Sequence, residues 1–193
     1  MCLRPQRTCI CRWVTALPSQ VDVLVLQHPM EVANAKGSAR LLHLSLPGSR
    51  LEVGEAFEPD RLLALLSGDR HNVLLYPDTE EEKSLGLASP APFDPAWRDT
   101  PQRLRLVVLD GTWRKSRKML YLNPLLQALP RLPLRATPPS HYLIRKAHLP
   151  DQLSTLEATV YALAQLEHDC ARYTPLIEAF DGFVAQQAGY VPG

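Results

Sequence analysis

Asp110 closes the run Leu104–Asp110 (LRLVVLD) and leads into Gly111-Thr112-Trp113, followed at once by Arg114, Lys115, Arg117 and Lys118. A carboxylate directly after a Val-Val-Leu strand is poorly solvated, and it faces a turn that Gly111 permits and a helix start that attracts anions. Two roles suit it. It can cap the helix by accepting from backbone N–H groups, or it can act as a general base in a cleft. Trp113 beside it reads more readily as a core residue than as a stacking surface for a planar ring. Four cations in five positions, with no acid beside them in the chain, repel one another unless an anion binds.

Other segments offer weaker chemistry. Ser154-Thr155-Leu156-Glu157 has the S-x-x-E spacing of a capping box, which needs no further function. His28 and Glu31 stand three residues apart after a strand, too sparse for a metal site. Cys2, Cys9 and Cys11 form C-x6-C-x-C in a basic N-terminal piece, three ligands where structural zinc wants four. Cys170 falls far from them on an apolar stripe, as a small core residue. No GxGxxG, P-loop, HExxH or GxSxG pattern is present, so dinucleotide binding of the Rossmann type, phosphoryl transfer and serine hydrolysis lack their marks.

The elements that must position these residues alternate. Val21–Gln27, Asn72–Tyr76, Leu104–Asp110 and Tyr142–Arg145 read as buried strands. Pro59–Leu66, Thr112–Leu122, Asn123–Leu129, Ser154–Arg172 and Pro175 to Ala188 read as helices, with Asn123 as N-cap before Pro124. Leu156, Val160, Leu163, Leu166 and Cys170 share one helical stripe. The proline-rich stretch Leu87–Gln102 reads as a long ordered loop or partial lid. The alternation predicts an α/β sandwich with a mainly parallel sheet. In such sheets ligands collect outside the carboxyl ends of the strands, where Gln27-His28, Tyr76-Pro77, Asp110-Gly111 and Arg145-Lys146 fall.

Composition excludes several classes. The 193 residues are 46% hydrophobic and 21% charged, too apolar for general disorder. No apolar run approaches the roughly 20 residues of a membrane span, and the start lacks a signal-peptide core. A cytoplasmic protein is the expectation. The net charge of +1 hides an asymmetry: Arg98 to Lys146 holds eleven cations and two acids, a local +9 against −8 elsewhere. That pattern suggests a basic face for a polyanion, unless these are solvated helix faces that happen to be Arg-rich.

Taken together, the segments resemble the DTW-domain family. Asp110-Gly111-Thr112-Trp113 resembles its D-x-T-W signature, Ser154-Thr155-Leu156-Glu157-Ala158 its S-T-x-E-A motif, and Gln27-His28-Pro29-Met30-Glu31 its H-P-x-E segment. Tyr142-Leu143-Ile144-Arg145-Lys146 is similar to a further recurrent stretch. The resemblance runs in order from Cys2 to the last helices. It implies a SPOUT-like α/β fold with a C-terminal trefoil knot. It divides the chain into a partial cysteine knuckle at 1–15 and a catalytic domain at 16–193. It also implies an enzyme that moves the 3-amino-3-carboxypropyl group of S-adenosylmethionine onto N3 of a tRNA uridine, with tRNA as partner and neither membrane nor protein partner implied. The family's knuckle resembles C-x2-C-x6-C-x-C, of which Cys2, Cys9 and Cys11 match the last three positions, so a zinc site here is incomplete.

The resemblance further implies roles for individual residues. Asp110 would be the base or the anchor for the uracil edge, with Thr112 and Trp113 shaping its pocket. Backbone groups of Leu75, Tyr76 and Pro77, of Leu109 and Gly111, and of Leu143, Ile144 and Arg145 would hold the adenosine. Ser154 and Glu157 would bind the amino-acid end of the cofactor. His28, Glu31, Arg114, Lys115, Arg117, Lys118 and Lys146 would meet tRNA. Two other activities fit the same features: a SPOUT-type RNA methyltransferase, and a non-catalytic RNA-binding protein.

Overall fold

Runs of Val and Leu long enough for a strand and too short for a helix build the centre of the molecule. A computed structural model describes residues 2–77, 90–134 and 153–189. In it β1 (Asp22–Gln27), β2 (Arg50–Val53), β3 (His71–Leu75) and β4 (Leu104–Asp110) form one parallel sheet in the order β2-β1-β4-β3. The helices are α1 (Ala39–Ser45), α2 (Pro59–Leu66), α3 (Trp113–Leu122), α4 (Pro124–Gln127), α5 (Thr155–Glu167) and α6 (Thr174–Ala188).

Side chains alternate across a strand, and that alternation sorts the core into two halves. Val23, Val25, Val73, Leu106 and Val108 pack with α1, α5 and α6 on one face of the sheet. Leu24, Leu26, Leu74, Val107 and Leu109 pack with α2, α3 and α4 on the other. The result is the three-layer α/β architecture that the sequence predicts. The chain leaves β1 for α1 on one face and leaves β4 for α3 on the opposite face. The gap between these adjacent strands is therefore a topological switch point, where open α/β sheets take their ligands.

The expected and observed elements differ in places. Strand β4 and helix α2 have the predicted bounds. Strand β2 and helix α1 are not among the predicted elements. Helix α5 stops at Glu167 because His168 takes the left-handed conformation (φ 53°). Cys170 lies beyond that stop and is exposed, not a member of the apolar stripe. Asn123 precedes α4 without capping it, since its buried side chain points elsewhere. The Tyr142–Arg145 strand lies outside the described residues. Within the predicted loop, residues 95–99 and 101–103 form two short 3-10 turns, and Trp97 stacks on His71 with ring centres 4.5 Å apart.

Polar side chains lock the edge of the sheet remote from the strand ends. The Arg105 Nε donates to Asp22 Oδ2 at 2.6 Å, and its Nη1 donates to the carbonyls of Leu65 and Ser67. Arg105 is buried, and a buried guanidinium is tolerated only with such a full set of acceptors. One carboxylate oxygen of Glu167, at the end of α5, accepts from Ser19 Oγ, Gln20 N and Val21 N and so sets the chain's approach to β1.

The N-terminal piece is packed against α6. Cys2 and Ile10 belong to the α1/α5/α6 half of the core. The Trp13 indole N–H donates to Gln186 Oε1, and Gln186 Nε2 donates to the Cys9 carbonyl. The Trp13 ring packs against Gly182, where a Cβ would stand 2.1 Å from a ring carbon. Replacing Gly182 by Ala must therefore push Trp13 off α6. The expected outcome is a loss of about 1–3 kcal/mol, read as a melting point lower by several degrees, with early proteolysis of the segment before residue 15.

Candidate active site

The register of the central strands brings two polar side chains together at the switch point. Gln27, the last residue of β1, is aligned with Asp110, the last residue of β4. Strand alternation turns both toward the α5 face. There Gln27 Nε2 donates to Asp110 Oδ2 at 2.8 Å, and the Thr155 hydroxyl, in the first turn of α5, donates to Asp110 Oδ1 at 2.6 Å. The Asp110 carbonyl accepts from His28 N–H at 2.9 Å, which continues the pairing with β4 one step past the end of β1. Asp110 is only 5% exposed. It does not cap α3; that bond is made by Thr112, whose hydroxyl accepts from Lys115 N. Gly111 lets α3 begin this close, since a Cβ there would lie 3.1 Å from that of Lys115.

Ser154 and Glu157 form the predicted capping box at the start of α5. The Ser154 N–H donates to Glu157 Oε2 at 2.7 Å, and the Glu157 N–H donates to Ser154 Oγ. Both are buried, and Leu156 N–H is taken up by Ser38 Oγ. Thr155 is half-buried between them and is the member of this turn that reaches Asp110. Neither Thr155 nor Gln27 is among the predicted site residues.

No acid stands beside the clustered cations in the chain, but the fold brings acids from distant segments to them. Lys115 Nζ lies 2.8 Å from Glu31, and Lys118 Nζ lies 2.9 Å from Glu55. His28 Nε2 also meets Glu55, at 2.9 Å, while His28 Nδ1 accepts from Met30 N–H. That acceptance places the ring proton on Nε2, toward Glu55. Asn123 holds the loop carrying Glu55 by donating to the Glu55 carbonyl and accepting from Phe57 N–H. Lys118 first, and then His28, draw the Glu55 carboxyl below the usual range. Arg114 is exposed, Arg117 half-buried. The +9 stretch is not one basic face, because Arg105 and Arg131 are both buried.

Trp113 is 44% exposed, not a core residue. Its indole stacks on the buried Tyr76 ring at 5.2 Å and 13°, and the Arg131 guanidinium lies 5.2 Å from the Tyr76 centre. Leu75 and Val108 are register partners, so Tyr76-Pro77 and Leu109–Gly111 leave the sheet side by side. The predicted Leu143, Ile144, Arg145 and Lys146 lie outside the described residues.

The three N-terminal thiols stand together, all within 4.8 Å of one another, with Cys2 and Cys9 Sγ 3.8 Å apart. The Cys2 thiol is drawn down to about 6, chiefly by a backbone hydrogen bond from Ile10, against the opposing effect of burial. Arg4 ties this turn to the body by donating to the carbonyls of Ala35 and Gly37. Among the described residues, no helix is long and apolar enough to cross a membrane.

Comparison with known proteins adds independent information. The DTW domain family model matches residues 1–188. A mouse (Mus musculus) protein named tRNA-uridine aminocarboxypropyltransferase 2 is 28% identical over 199 residues, covering 98% of this chain and 64% of its own length. Proteins of the same name from Macaca fascicularis and Drosophila melanogaster are 28% and 30% identical; each covers 86% of this chain, with 55% and 65% of their own lengths matched. The chain thus spans a little over half to about two thirds of these relatives. No solved structure matches it.

The Glu55 contacts have a pH signature. A carboxyl whose folded pKa is depressed contributes stability above its unfolded value of about 4.3, and that contribution is lost as pH falls through the folded value. Glu55→Gln is therefore expected to lower the urea midpoint at pH 7. The gap from wild type should narrow as the pH of the measurement is lowered below the usual carboxylate range.

Proposed function

The chain belongs to the DTW-domain family, and from that premise we propose that it is a tRNA-uridine aminocarboxypropyltransferase. It would move the 3-amino-3-carboxypropyl group of S-adenosylmethionine to N3 of a tRNA uridine. The observation that carries this reading is the buried Asp110 carboxylate, oriented by Gln27 and Thr155 at the switch point, within the segment that resembles the family signature. The finer fold reading, a SPOUT-like sheet with a C-terminal knot, rests on the family resemblance, and a cytoplasmic location is the expectation from composition. The division at residue 15 is kept as a functional one only, since Cys2 and Ile10 share the main core.

Uridine N3–H is a weak acid, so alkylation needs that proton accepted while the acceptor is held in line. The bound sulfonium supplies the leaving group. Backbone groups of Tyr76-Pro77 and Leu109–Gly111, adjacent at the strand ends, are suited to the adenosine. The exposed indole of Trp113, backed by Tyr76, is suited to a planar base. Arg114, exposed on α3, is suited to tRNA phosphates, while Lys115 and Lys118 also meet Glu31 and Glu55. Glu157, within its capping box, would act on the cofactor's amino-acid end through the turn that it holds.

Incubation of the protein with S-adenosylmethionine and unmodified tRNA, followed by nucleoside mass spectrometry, tests the reaction. The expected product is a uridine carrying the aminocarboxypropyl mass, with methylthioadenosine released. A methyl mass points to the methyltransferase instead, and binding without modification to an RNA-binding protein.

Zinc suits the N-terminal cluster. Sulfurs bound to one tetrahedral zinc at about 2.3 Å lie roughly 3.8 Å apart, close to the Cys2–Cys9 spacing. Cys2, Cys9 and Cys11 would fill three of its positions and fasten the turn that Arg4 already anchors. Titration with Co2+ is expected to give thiolate-to-cobalt absorption at one equivalent, strongly weakened by Cys9→Ser.

A further inference from the structure

We infer that Thr155, not Asp110 itself, presents the proton-accepting atom to the acceptor, as the outer member of a Gln27–Asp110–Thr155 relay. The inference rests on the transferase reading above and gives a role to Thr155, which lies within the segment resembling the S-T-x-E-A motif but is not among the predicted site residues.

Three observations carry it. Asp110 is 95% buried, and each of its carboxylate oxygens already accepts a hydrogen bond, one from Gln27 and one from Thr155. At 5% exposure the carboxylate offers a substrate N–H little access, although its oxygens retain further lone pairs. Thr155 is less buried than its partner, and its only proton is committed to Asp110 Oδ1 at 2.6 Å. Its remaining polar capacity is therefore acceptor capacity, and among the described residues no donor occupies it. Finally, Thr155 is the first residue of α5, a helix of 13 residues, so the positive end of the helix dipole favours charge developing on its oxygen.

The transfer step balances without another reactant. The uridine N3 proton passes to Thr155 Oγ1 as the hydroxyl's own proton passes to Asp110 Oδ1. The freed N3 pair forms the bond to the transferred carbon, and the carbon–sulfur bond breaks with its electron pair kept by sulfur. Gln27 is a positioning residue: its amide fixes the carboxylate so that Oδ1 faces Thr155. A general base so placed is worth about 10²–10⁴ in rate.

The test compares Thr155→Val, Thr155→Ser and Asp110→Asn with wild type on S-adenosylmethionine and tRNA. Each is measured for kcat, KM, melting point and solvent isotope effect. Thr155→Val, isosteric but without the hydroxyl, is expected to lower kcat by about 100-fold or more, with KM within about twofold and a cooperative melt retained. Thr155→Ser should stay within about tenfold of wild type and keep a proton inventory showing two protons in flight. Near-normal kcat in Thr155→Val, or equal loss in Thr155→Val and Thr155→Ser, overturns the relay and leaves the transferase reading standing. A wild-type protein that leaves tRNA uridine unmodified overturns both.

Discussion

The pairing of β1 with β4 is the constraint on which the candidate site depends. Six register pairs, from Asp22 with Arg105 to Gln27 with Asp110, fix the two strands along their whole length. A slip of one residue would exchange the faces of every side chain. Val23 and Val25 would leave the α5 half of the core, and Gln27 would no longer meet Asp110. The apolar alternation that holds the core together therefore also sets the polar pair at the strand ends.

A carboxylate taken out of water needs its hydration replaced by protein donors. At Asp110 these come from different parts of the chain: Gln27 from the neighbouring strand, and Thr155 from a helix 45 residues further on. The opposite end of the same two strands shows the complementary solution. Arg105 is buried against Asp22, two carbonyls at the end of α2 and Asn72, so one strand carries a satisfied cation near its start and a satisfied anion at its end. This also explains why local charge is a poor guide to surface charge here. Several cations of the +9 stretch are structural: Arg105 in this cluster, Arg131 beside Tyr76, Lys115 on Glu31.

What was legible in the sequence follows from how each element is stabilised. Strand β4 and the capping box of α5 declare themselves because their stabilising pattern is local: a Val-Leu run, or a serine three residues before a glutamate. Strand β2 does not, because Arg50–Val53 is a short edge strand with polar residues and only partial burial, so no apolar run marks it. The helix α1 is hidden by its brevity, lying between Gly37 and Pro47 with only seven residues. Asp110 and the knuckle cysteines stand out by type and spacing. Gln27 and Thr155 do not, since their importance lies in a cross-chain contact that only the register creates. The core reading of Trp113 fails for the same reason: whether a tryptophan is core or platform depends on Tyr76 against it, far away in sequence.

The same logic separates what α5 does for the fold from what it does for the site. Ser154 and Glu157 satisfy each other across the first turn and bury themselves. Leu156 faces the core, with its N–H held by Ser38. With three of the four residues of the turn fixed by structural partners, the position of Thr155 follows from theirs. The hydroxyl is aimed by a rigid turn rather than by its own packing. Placement of this kind suits a group that must hold its geometry while a proton moves. On the proposed relay, the cap would supply the rigidity and the residue between its two members the chemistry, which would account for a motif that places them in adjacent positions.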